Sequence, residues 1–547
     1  MDQIVSARNW NSVPGRPAKV GFDRALPSIS RLVVRPEDWL DQSAREVTGG
    51  WMAIALDGRL VWGISLEIAD AARIRLHLEN VTLPPGTRMW TYSPLGETRP
   101  FGLELLRQEQ DIWTPFVRGD VLYLEIALPK EARGASWGFS LGEAAQTIRS
   151  LDPEVLTQAD SCLQDATCFD ESDFSGIGIA REAVAAMLYQ QGSSTFACSG
   201  GLLNDTGSTH TPYFLTAHHC ISSNSVAATL DPTWDFKTTS CGGGSSTGNP
   251  GPSGATVLVT DSLAGTPGTD VSLLLLNGLP GGTVGFLGWT ATRPGDGAEL
   301  HRLSHPVNNA GTVIFPQRYT RSRNDQTPSF TCSDIELTDF LYSVNEVGGT
   351  SGGSSGSPVM LDGAIVVGQL LGSCGPSGTL DGCGTEEYLL DGAFATSFPL
   401  LAPFLSATGC VSDSDTACHL SGRFRVEVTY STTGQASSPL GVNQTLTRTS
   451  GNAQVMSFNG ERATSNQASF WFFFDPANFE MGVKMVDACV PPFNAFWVFV
   501  SGLTNQSFNV TITDTLHPER VRHYTNPLGS YPQTVGATGT SDGFPCN

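Results

Sequence analysis

The sequence predicts an all-β protein made of several domains. Glycine, serine, threonine and valine dominate its 547 residues, which include 60 glycines and 33 prolines, and such a composition favours short strands joined by many turns. The composition rich in Ala, Glu, Lys and Leu that long helices require is absent. The length exceeds what one hydrophobic core serves, so we expect roughly two to four domains.

Charge and apolar patterning exclude several classes of protein. Acidic residues outnumber basic ones 53 to 31, and the net charge of −22 argues against a nucleic-acid partner, because phosphates bind basic faces. No apolar run reaches the roughly 18 residues of a transmembrane helix, so a membrane is not an expected partner either. With 40% hydrophobic and 15% charged residues, the chain is not mostly disordered.

The 12 cysteines indicate an oxidising compartment and hence a secreted protein. None has CxxC spacing, which counts against zinc and redox sites, and we expect no metal or cofactor. The start, Met1–Val5, has no apolar core of a signal peptide. A signal peptide, if one existed, has therefore been removed.

The first 150 residues predict an arm followed by a β-domain. Residues 1–47 are polar, contain proline and have no clear period, as in a loose arm. Residues 48–150 predict the domain, because ARIRLHLENV (72–81) alternates apolar and polar residues as a half-buried strand does. The other strand-like runs are WMAIAL (51–56), LVWGISLEI (60–68), RMWTYS (88–93) and VLYLEIAL (121–128). An acidic linker follows at 146–165.

The rest of the chain predicts two further β-domains. Residues 160–405 are turn-rich and have the length of a double β-barrel, with one helix expected at 180–191. After a second linker at 406–420, residues 421–547 predict a β-sandwich. Its strand-like runs are RFRVEVTY (423–430), SFWFFF (469–474), FWVFVSGL (496–503) and FNVTITDT (508–515). The aromatic residues of these runs either bind a surface ligand or fill the sandwich core, and their alternation favours the core.

Two motifs and the strand between them carry a candidate catalytic site. His219 ends an apolar segment, Asp270 opens the run VSLLLL (271–276), and Ser355 lies among glycines in GGSSGSP (352–358). A serine hydroxyl becomes a nucleophile when a histidine takes its proton, and a carboxylate fixes the tautomer of that histidine. The sequence therefore predicts a catalytic triad of these three residues.

Two details of this triad concern its neighbours. The amides of Gly353 and Ser355 are the expected oxyanion hole, because glycines permit the tight turn that makes backbone N–H groups converge. His218 is the alternative base, but it points to the opposite face if the segment is still a strand. His219 is therefore preferred.

These motifs resemble those of known peptidases. TAHHC (216–220), TDVSLLLL (269–276) and GGSSGSP are similar to the trypsin-like serine peptidases of the chymotrypsin fold, in the same chain order. Together with the Cys162-x5-Cys168 pair and Cys198-Ser-Gly-Gly, they resemble more closely the bacterial secreted lysyl endopeptidases, over roughly residues 160–400. The resemblance implies a chymotrypsin-like double β-barrel that hydrolyses protein or peptide substrates through an acyl-enzyme. It also implies the bridges Cys162–Cys374, Cys168–Cys241 and Cys198–Cys220.

The resemblance implies less about P1, the substrate residue before the cleaved bond. Trypsins carry an acidic residue six positions before the nucleophile, where this chain has Gly349. The downstream acid of lysyl endopeptidases is best matched by Glu386, with Glu387 and Asp391 as alternatives. A basic P1 residue is expected. Lysine is favoured over arginine, because a chain with four lysines and 27 arginines offers few cleavage sites to a lysine-directed peptidase and so limits self-digestion. A GC-rich genome, which favours arginine codons, explains this ratio equally well. The alternatives are a peptidase with another P1 preference and a non-catalytic secreted adhesin.

The flanking regions also resemble known modules. WTPFVRGDVLYLEIALP (113–129) is similar to prosegment domains, which implies an intramolecular inhibitor or folding chaperone, with a permanent accessory domain as the alternative. GRFRVEVTY (422–430) and the run 469–487 resemble a β-sandwich module of bacterial secreted proteins.

We expect the protein to be a monomer. The remaining cysteines are expected to pair as Cys332–Cys383, Cys410–Cys418 and Cys489–Cys546.

Overall fold

The computed structural model confirms the all-β prediction, because strands far outnumber helices in every region. It describes the chain except for residues 1, 12–15, 41–42, 108, 135, 149–161, 207–208, 245–247, 309–311, 333–334, 376–386, 406–409, 411–413, 421, 432–435, 438–442, 445–449, 459–460, 466, 490–492, 516, 518 and 547. The chain divides into two compact units. The first comprises 1–204 and 212–398, and the second comprises 205–211 and 399–547.

The N-terminal region contains two sheets that enclose an apolar core. Its elements are α1 (Asp2–Asn11), β1 (Ala18–Val34), β2 (Arg45–Val47), β3 (Gly50–Ile54), β4 (Leu60–Glu67), β5 (Ala71–Thr82), β6 (Arg88–Tyr92), β7 (Thr98–Phe101), β8 (Ile112–Trp113), β9 (Val117–Arg118), β10 (Val121–Leu128) and β11 (Trp137–Ile148). One sheet has the order β2-β3-β4-β10-β6-β7, and the other includes β1-β11-β5-β8. The strands predicted between 48 and 145 are all present.

The middle region forms two further groups of strands. Its elements are β12 (Gln164–Asp165), α2 (Ile177–Ala183), β13 (Val184–Gln191), β14 (Ser194–Leu203), β15 (Tyr213–Ala217), α3 (Asn224–Ala227), β16 (Asp231–Trp234), β17 (Asn249–Pro250), β18 (Ala255–Asp261), β19 (Val271–Leu276), β20 (Gly288–Trp289), β21 (Glu299–Ser304), β22 (Arg318–Asn324), β23 (Phe340–Val347), β24 (Pro358–Leu361), β25 (Ile365–Cys374), β26 (Tyr388–Ala393) and α4 (Phe394–Leu405). Strands β13–β19 belong to one sheet, and β20–β26 with β12 belong to another. Two such groups of strands are what a double-barrel fold requires.

The C-terminal region is a sandwich of two principal sheets. Its strands are β27 (Thr416–His419), β28 (Phe424–Ser431), β29 (Ala436–Ser437), β30 (Asn443–Gln444), β31 (Ser450–Asn452), β32 (Gln454–Val455), β33 (Ser457–Phe458), β34 (Glu461–Arg462), β35 (Ala468–Phe472), β36 (Met481–Ala488), β37 (Ala495–Gly502), β38 (Ser507–Asp514), β39 (Val521–Asn526), β40 (Val535–Ala537) and β41 (Phe544–Pro545). Trp471 and Phe473 are buried in the core, whereas Phe470 is 42% exposed. The aromatic run therefore divides by strand alternation.

The prediction of a loose arm over 1–47 is wrong. Residues 2–11 form a helix, and β1 is a long strand that pairs on one side with β11 and on the other with β14. Ala18, Val20, Leu32 and Val34 of β1 are buried, and the strands that pair with β1 lie more than a hundred positions away in the sequence. Local periodicity could not reveal this strand, because two distant strands stabilise it.

The predicted helix at 180–191 is mostly a strand. Helix α2 ends at Ala183, and β13 follows without a gap. All residues of β13 except the last are buried, and the strand lies between β14 and β16 in its sheet. A strand buried on both faces has no polar alternation, so its apolar run resembles a buried helix in sequence.

The disulfide pairs correct one implied bridge. Cys168–Cys241 and Cys198–Cys220 are the pairs that the resemblance implied, and Cys410–Cys418 and Cys489–Cys546 are present as expected. Cys374 pairs with Cys332 and not with Cys162, which also excludes the expected Cys332–Cys383 bridge. Both cysteines of this pair pack against one apolar cluster that includes Tyr342 and Tyr388, and their Cα atoms are 6.3 Å apart. The fold, and not the spacing, chooses this connectivity.

A buried ion pair joins the N-terminal and middle regions. Arg99 donates to both carboxylate oxygens of Asp231, at 2.6 and 3.3 Å, and to the carbonyl of Gly251 at 2.9 Å. Asp231 also accepts from the Phe116 amide at 2.9 Å. Burial raises the pKa of Asp231, but Arg99 outweighs it and holds this pKa below its ordinary value. The pair links β7, which carries Arg99, to β16, which carries Asp231.

Asp23 on β1 is expected to make the stability of the protein fall as the pH rises. Burial, and then the neighbouring Glu143, raise its pKa from 3.8 to about 7, against the opposing charges of Arg75, His77 and Lys19. Its Oδ1 accepts a hydrogen bond from Gln190 of the middle region. Between these two pKa values the native state holds a proton that the unfolded chain has lost, so the free energy of unfolding decreases with pH in this window.

The variant Asp23→Asn keeps the acceptor oxygen and removes the titration. In urea unfolding, its stability relative to the unsubstituted protein is expected to be higher at pH 8 than at pH 5. Glu143→Gln removes a like charge that raises the pKa of Asp23, so the decrease of stability with pH is expected to become smaller. An equal stability difference at both pH values would contradict the raised pKa of Asp23.

Within the described part of the chain, no helix has both the length and the apolar character needed to cross a membrane.

Candidate active site

The turn after β15 brings His219 to Asp270. The Nδ1 atom of His219 lies 2.7 Å from one carboxylate oxygen of Asp270, and the His219 amide donates to the other oxygen at 3.0 Å. The neighbouring amide of His218 donates to the Asp270 carbonyl at 2.8 Å. Asp270 is only 1% exposed, and each oxygen of its carboxylate contacts His219. This arrangement fixes the hydrogen on Nδ1 and leaves Nε2 to accept a proton.

The side chain of His218 points elsewhere. Its Nδ1 atom lies 2.7 Å from the hydroxyl of Thr260, and it has no hydrogen bond to the Asp270 carboxylate. The two adjacent histidines therefore have different partners, but strand alternation is not the reason, because both lie in the turn that follows the end of β15 at Ala217.

Asp270 is positioned by a network that sequence analysis did not identify. Its φ of 56° is an uncommon backbone conformation for a residue with a side chain. Asp261 supports it from β18, because one of its oxygens accepts from the amides of Gly268 and Thr269 at 2.7 and 2.8 Å. Gln369 donates to the Thr269 carbonyl at 2.8 Å from the other sheet. These bonds hold the turn that presents Asp270.

The loop that carries Ser355 packs directly on the strand before His219. Gly353 and Gly356 both have positive φ, at 91° and 78°. A Cβ atom at Gly356 would lie 2.6 Å from the Ser199 carbonyl and 2.8 Å from the Ala217 amide nitrogen, so only glycine fits there. The Ser355 carbonyl accepts from the Ser199 amide at 2.9 Å, and Ser355 is 7% exposed. The loop thus places Ser355 against β14 and the end of β15, the strand that leads into His219.

Two amides of this loop are available to a ligand. Ser354 donates its amide to the Ser351 carbonyl at 3.0 Å, and Gly356 donates to Leu370 at 2.8 Å. In the described residues the amides of Gly353 and Ser355 donate to no protein acceptor. They are the two groups that the sequence predicted as the oxyanion hole.

The Gly353 backbone is held from behind by a further network that the sequence did not reveal. Ser199 donates its hydroxyl to the Gly353 carbonyl at 2.9 Å and accepts from the His305 amide at 2.8 Å. Burial lowers the pKa of His305 to about 4, so this histidine is neutral at ordinary pH. Nothing in the sequence indicated the bond between His305 and Ser199.

Nε2 of His219 has no hydrogen-bond partner among the described residues. The Ser355 hydroxyl therefore does not donate to it in this structure. Such bonds are often long in enzymes without substrate and shorten when substrate binds. The unpartnered, buried nitrogen is the one that a general base must offer.

The sulfur atoms of Cys198 and Cys220 lie within 4.8 Å of a ring nitrogen of His219. Both cysteines belong to one disulfide, so they offer no thiolate to a metal ion. The bridge instead ties the turn of His219 to β14. It therefore helps to position the histidine.

The three acidic residues considered for P1 recognition have different surroundings. Glu386 lies outside the described residues. Asp391 is fully buried and receives two hydrogen bonds from Arg302, at 2.7 and 2.9 Å. It is therefore already paired with an internal cation and is not available to a substrate cation. Glu387 is 8% exposed and directly precedes β26.

Comparisons with known proteins agree with the resemblance seen in the motifs. The family model described as "Lysyl endopeptidase, C-terminal domain" matches residues 156–388. A curated lysyl endopeptidase of Pseudomonas aeruginosa is 28% identical over 313 residues, which cover 54% of this chain and 63% of that protein. The match thus spans less than two thirds of the relative. Both findings support a peptidase that is similar to the lysyl endopeptidases.

Solved structures of proteases also match part of the chain. The active form of the Rv3671c protease from M. tuberculosis has a TM-score of 0.29 and 16% identity, over 48% of this chain and 97% of its own. The scabies mite inactivated protease paralogue S-D1 has a TM-score of 0.31 and 10% identity, over 45% of this chain and 95% of its own.

Proposed function

We propose that this protein is a secreted serine endopeptidase that uses Ser355 as nucleophile, His219 as general base and Asp270 as the orienting carboxylate. The observation that carries the proposal is the His219–Asp270 pair, with its 2.7 Å contact and its unpartnered Nε2, beside a serine loop with two unengaged amides. The disulfides support an extracellular location, since such bridges persist in oxidising compartments.

In the acylation step, the Ser355 hydroxyl oxygen attacks the substrate carbonyl carbon while its proton passes to Nε2 of His219. The negative charge that develops on the carbonyl oxygen is stabilised by the amides of Gly353 and Ser355. The carbon–nitrogen bond then breaks, and the proton on Nε2 moves to the leaving amine. The product is an ester between Ser355 and the first half of the substrate.

Deacylation repeats these steps with water. His219 takes a proton from the water, whose oxygen attacks the ester carbonyl, and the same two amides stabilise the oxyanion. The proton then returns to the Ser355 oxygen as the ester bond breaks. Asp270 remains charged throughout and stabilises the imidazolium that forms twice in each cycle.

A basic P1 residue, with lysine favoured over arginine, is part of the proposal. Asp391 is paired with Arg302, and we assign this role to Glu387, the other described carboxylate that the sequence offered. It directly precedes β26, whose first residue, Tyr388, pairs with Cys374 at the end of β25. Strand β25 also receives the amide of Gly356, next to the nucleophile. A buried carboxylate near this strand suits a cationic side chain.

Labelling by a fluorophosphonate probe tests the nucleophile. The unsubstituted protein is expected to form a covalent adduct on Ser355, and Ser355→Ala is expected to form none, because the probe needs an activated serine hydroxyl. Ser351→Ala, a serine of the same loop, is the matched control and is expected to label normally. Labelling that survives in Ser355→Ala would refute this nucleophile, and absence of labelling in the unsubstituted protein would favour a non-catalytic binding protein.

Cleavage of a defined peptide mixture tests the P1 residue. Cuts after lysine are expected to dominate, followed by cuts after arginine. Glu387→Gln removes the carboxylate and keeps the size of the side chain, so it is expected to lower kcat/KM for basic P1 peptides by about 100-fold or more, as when a buried charge loses its partner. Glu346→Gln, on an exposed ion pair with Arg323, is the control. Dominant cuts after apolar residues would overturn the basic preference.

A further inference from the structure

A small cavity lies between the N-terminal and middle regions. Its volume is about 130 Å³, and apolar residues of both regions form most of its wall, among them Val20, Ile148, Leu188, Phe236 and Ile314. A cavity of roughly 150 Å³ lined by apolar side chains holds one benzene molecule. This cavity therefore has room for one ligand of about six non-hydrogen atoms.

Polar residues that lack partners line the same cavity. Thr147 and Thr233 are 4% and 8% exposed, and neither hydroxyl has a hydrogen-bond partner among the described residues. Arg73 lies in the same wall, and its guanidinium makes neither a hydrogen bond nor an ion pair with any described residue. The fourth polar residue, Thr312, accepts a 3.0 Å bond from the Asn308 side-chain amide. Polar groups removed from bulk water normally have partners, so three groups without one indicate a polar ligand.

The two carboxylates near Arg73 are both held by other arginines. Arg118 donates its amide and its Nε atom to Glu97, at 2.9 and 3.1 Å. Arg99 holds both oxygens of Asp231, at 2.6 and 3.3 Å. Three guanidinium groups thus share two carboxylates, although the protein as a whole has a net charge of −22. Burial lowers the pKa of Arg73, as expected for a cation without a partner.

Arg75, two positions further along β5, shows how the chain satisfies a guanidinium on the same face of the sheet. This side chain is fully buried and donates to the carbonyls of Thr114 and Thr229, at 2.9 Å each. Thr229 belongs to the middle region, so Arg75 bridges the same two regions. At Arg73 the cavity lies where such acceptors would otherwise be. The missing acceptor is therefore one that a ligand can supply.

We propose that this cavity binds a small carboxylate with a short, branched apolar chain, of the size of isobutyrate. The guanidinium of Arg73 pairs with the carboxylate, and the hydroxyls of Thr147 and Thr233 donate to its oxygens. The chain of the ligand packs against the apolar wall. The site includes no residue of the candidate active site, so the inference does not depend on the proposed catalytic roles.

Other kinds of ligand suit the cavity less well. An inorganic anion such as phosphate pairs with Arg73 but leaves the apolar wall without contacts. A neutral ligand of the same shape fills the wall but leaves the guanidinium unpaired. The C-terminal carboxylate of a peptide has the right charge, but the rest of the peptide exceeds the volume. A free acid is therefore the ligand that satisfies both parts of the wall.

Saturation-transfer NMR on the full chain tests this binding directly. The chain carries Ser355→Ala, so that the proposed peptidase cannot cut it during the measurement. Saturation is expected to pass to the methyl groups of isobutyrate at neutral pH, where this acid is ionised. Isobutyramide, which has the same shape and no charge, is expected to bind at least about tenfold more weakly, and so is phosphate.

Arg73→Met keeps an apolar stem and removes the charge, so it is expected to weaken isobutyrate binding by about tenfold or more. Arg88→Met, at an exposed position of β6, is the matched control and is expected to leave the affinity unchanged. Thr233→Val keeps the shape of the side chain and is expected to weaken binding by about fivefold, the effect of one hydrogen bond. Ala186→Leu fills the cavity from β13 and is expected to abolish binding, which keeps the test decisive if Arg73→Met does not fold.

Four results would overturn the inference. Absence of saturation transfer to isobutyrate would show that the cavity holds no such acid. Equal affinity for isobutyramide would remove the role of the charge, and equal affinity for phosphate would make this a site for inorganic anions. Unchanged isobutyrate affinity in both Arg73→Met and Ala186→Leu would place the ligand elsewhere on the chain.

Discussion

Replacing His219 by alanine is expected to lower kcat for peptide hydrolysis by roughly 10⁶-fold, the loss typical of removing the base of such a triad. Without the imidazole, the attacking hydroxyl of Ser355 loses the proposed base that takes its proton. KM is expected to change little, because the base interacts with the reacting atoms and not with bound substrate in its ground state. The measurement is steady-state hydrolysis of a peptide that the unsubstituted protein cleaves in the defined peptide mixture. All variants are compared at the same chain length.

His218→Ala is the matched control for this prediction. It removes an imidazole from the adjacent position and keeps the backbone amide that donates to the Asp270 carbonyl. Because the His218 ring contacts Thr260 and not the Asp270 carboxylate, kcat is expected to stay within about threefold. A large loss in His218→Ala combined with a small loss in His219→Ala would identify His218 as the base.

The contrast between these two histidines shows what the sequence could predict about the site. Motif and spacing pointed to His219, Asp270 and Ser355, because each lies in a short segment whose residue types suit one chemical role. The structure brings the first two into contact and packs the loop of the third against the strand before His219. The contact with Asp270 agrees with the preference for His219, but the strand alternation behind that preference does not apply, because both histidines lie in the turn after β15.

The supporting residues could not be predicted, for a physical reason. The Ser199 hydroxyl bonds to the Gly353 carbonyl and the His305 amide, which lie 154 and 106 positions away in the sequence, and Asp261 accepts from the amides of the loop after its own strand. A serine or aspartate that accepts or donates one such bond has no local pattern that distinguishes it from a surface residue. Only the fold specifies their partners.

The difference between local patterns and partners that only the fold specifies also explains the errors in the predicted fold. Strands such as Leu60–Glu67 and Ser507–Asp514 were predicted because one face is buried and the other is not, which produces alternation. Strands β1 and β13 lack this signal, since β13 is buried on both faces and β1 is stabilised by distant partners. The pairing of Cys374 with Cys332 likewise depends on which loops the sheet brings together.

Asp270→Asn is expected to lower kcat by about 10⁴-fold while the protein remains folded. The asparagine oxygen can still accept from the His219 amide, which preserves the turn. Its NH₂ group, however, would face Nδ1 of His219, where the carboxylate oxygen now lies at 2.7 Å. A donor at that position forces the hydrogen of the imidazole onto Nε2, and the ring can then no longer accept the proton of Ser355.

Asp362→Asn provides the matched control, because this exposed aspartate also accepts a backbone hydrogen bond, from Ser175 at 3.1 Å, but lies outside the site. Its kcat is expected to be unchanged. In Asp270→Asn, kcat and kcat/KM are expected to fall by the same factor, since the lost interaction stabilises the imidazolium that forms only during reaction. A loss below about tenfold would contradict the role of Asp270, because an orienting carboxylate that is fully buried and used by one histidine cannot be removed at so small a cost in rate.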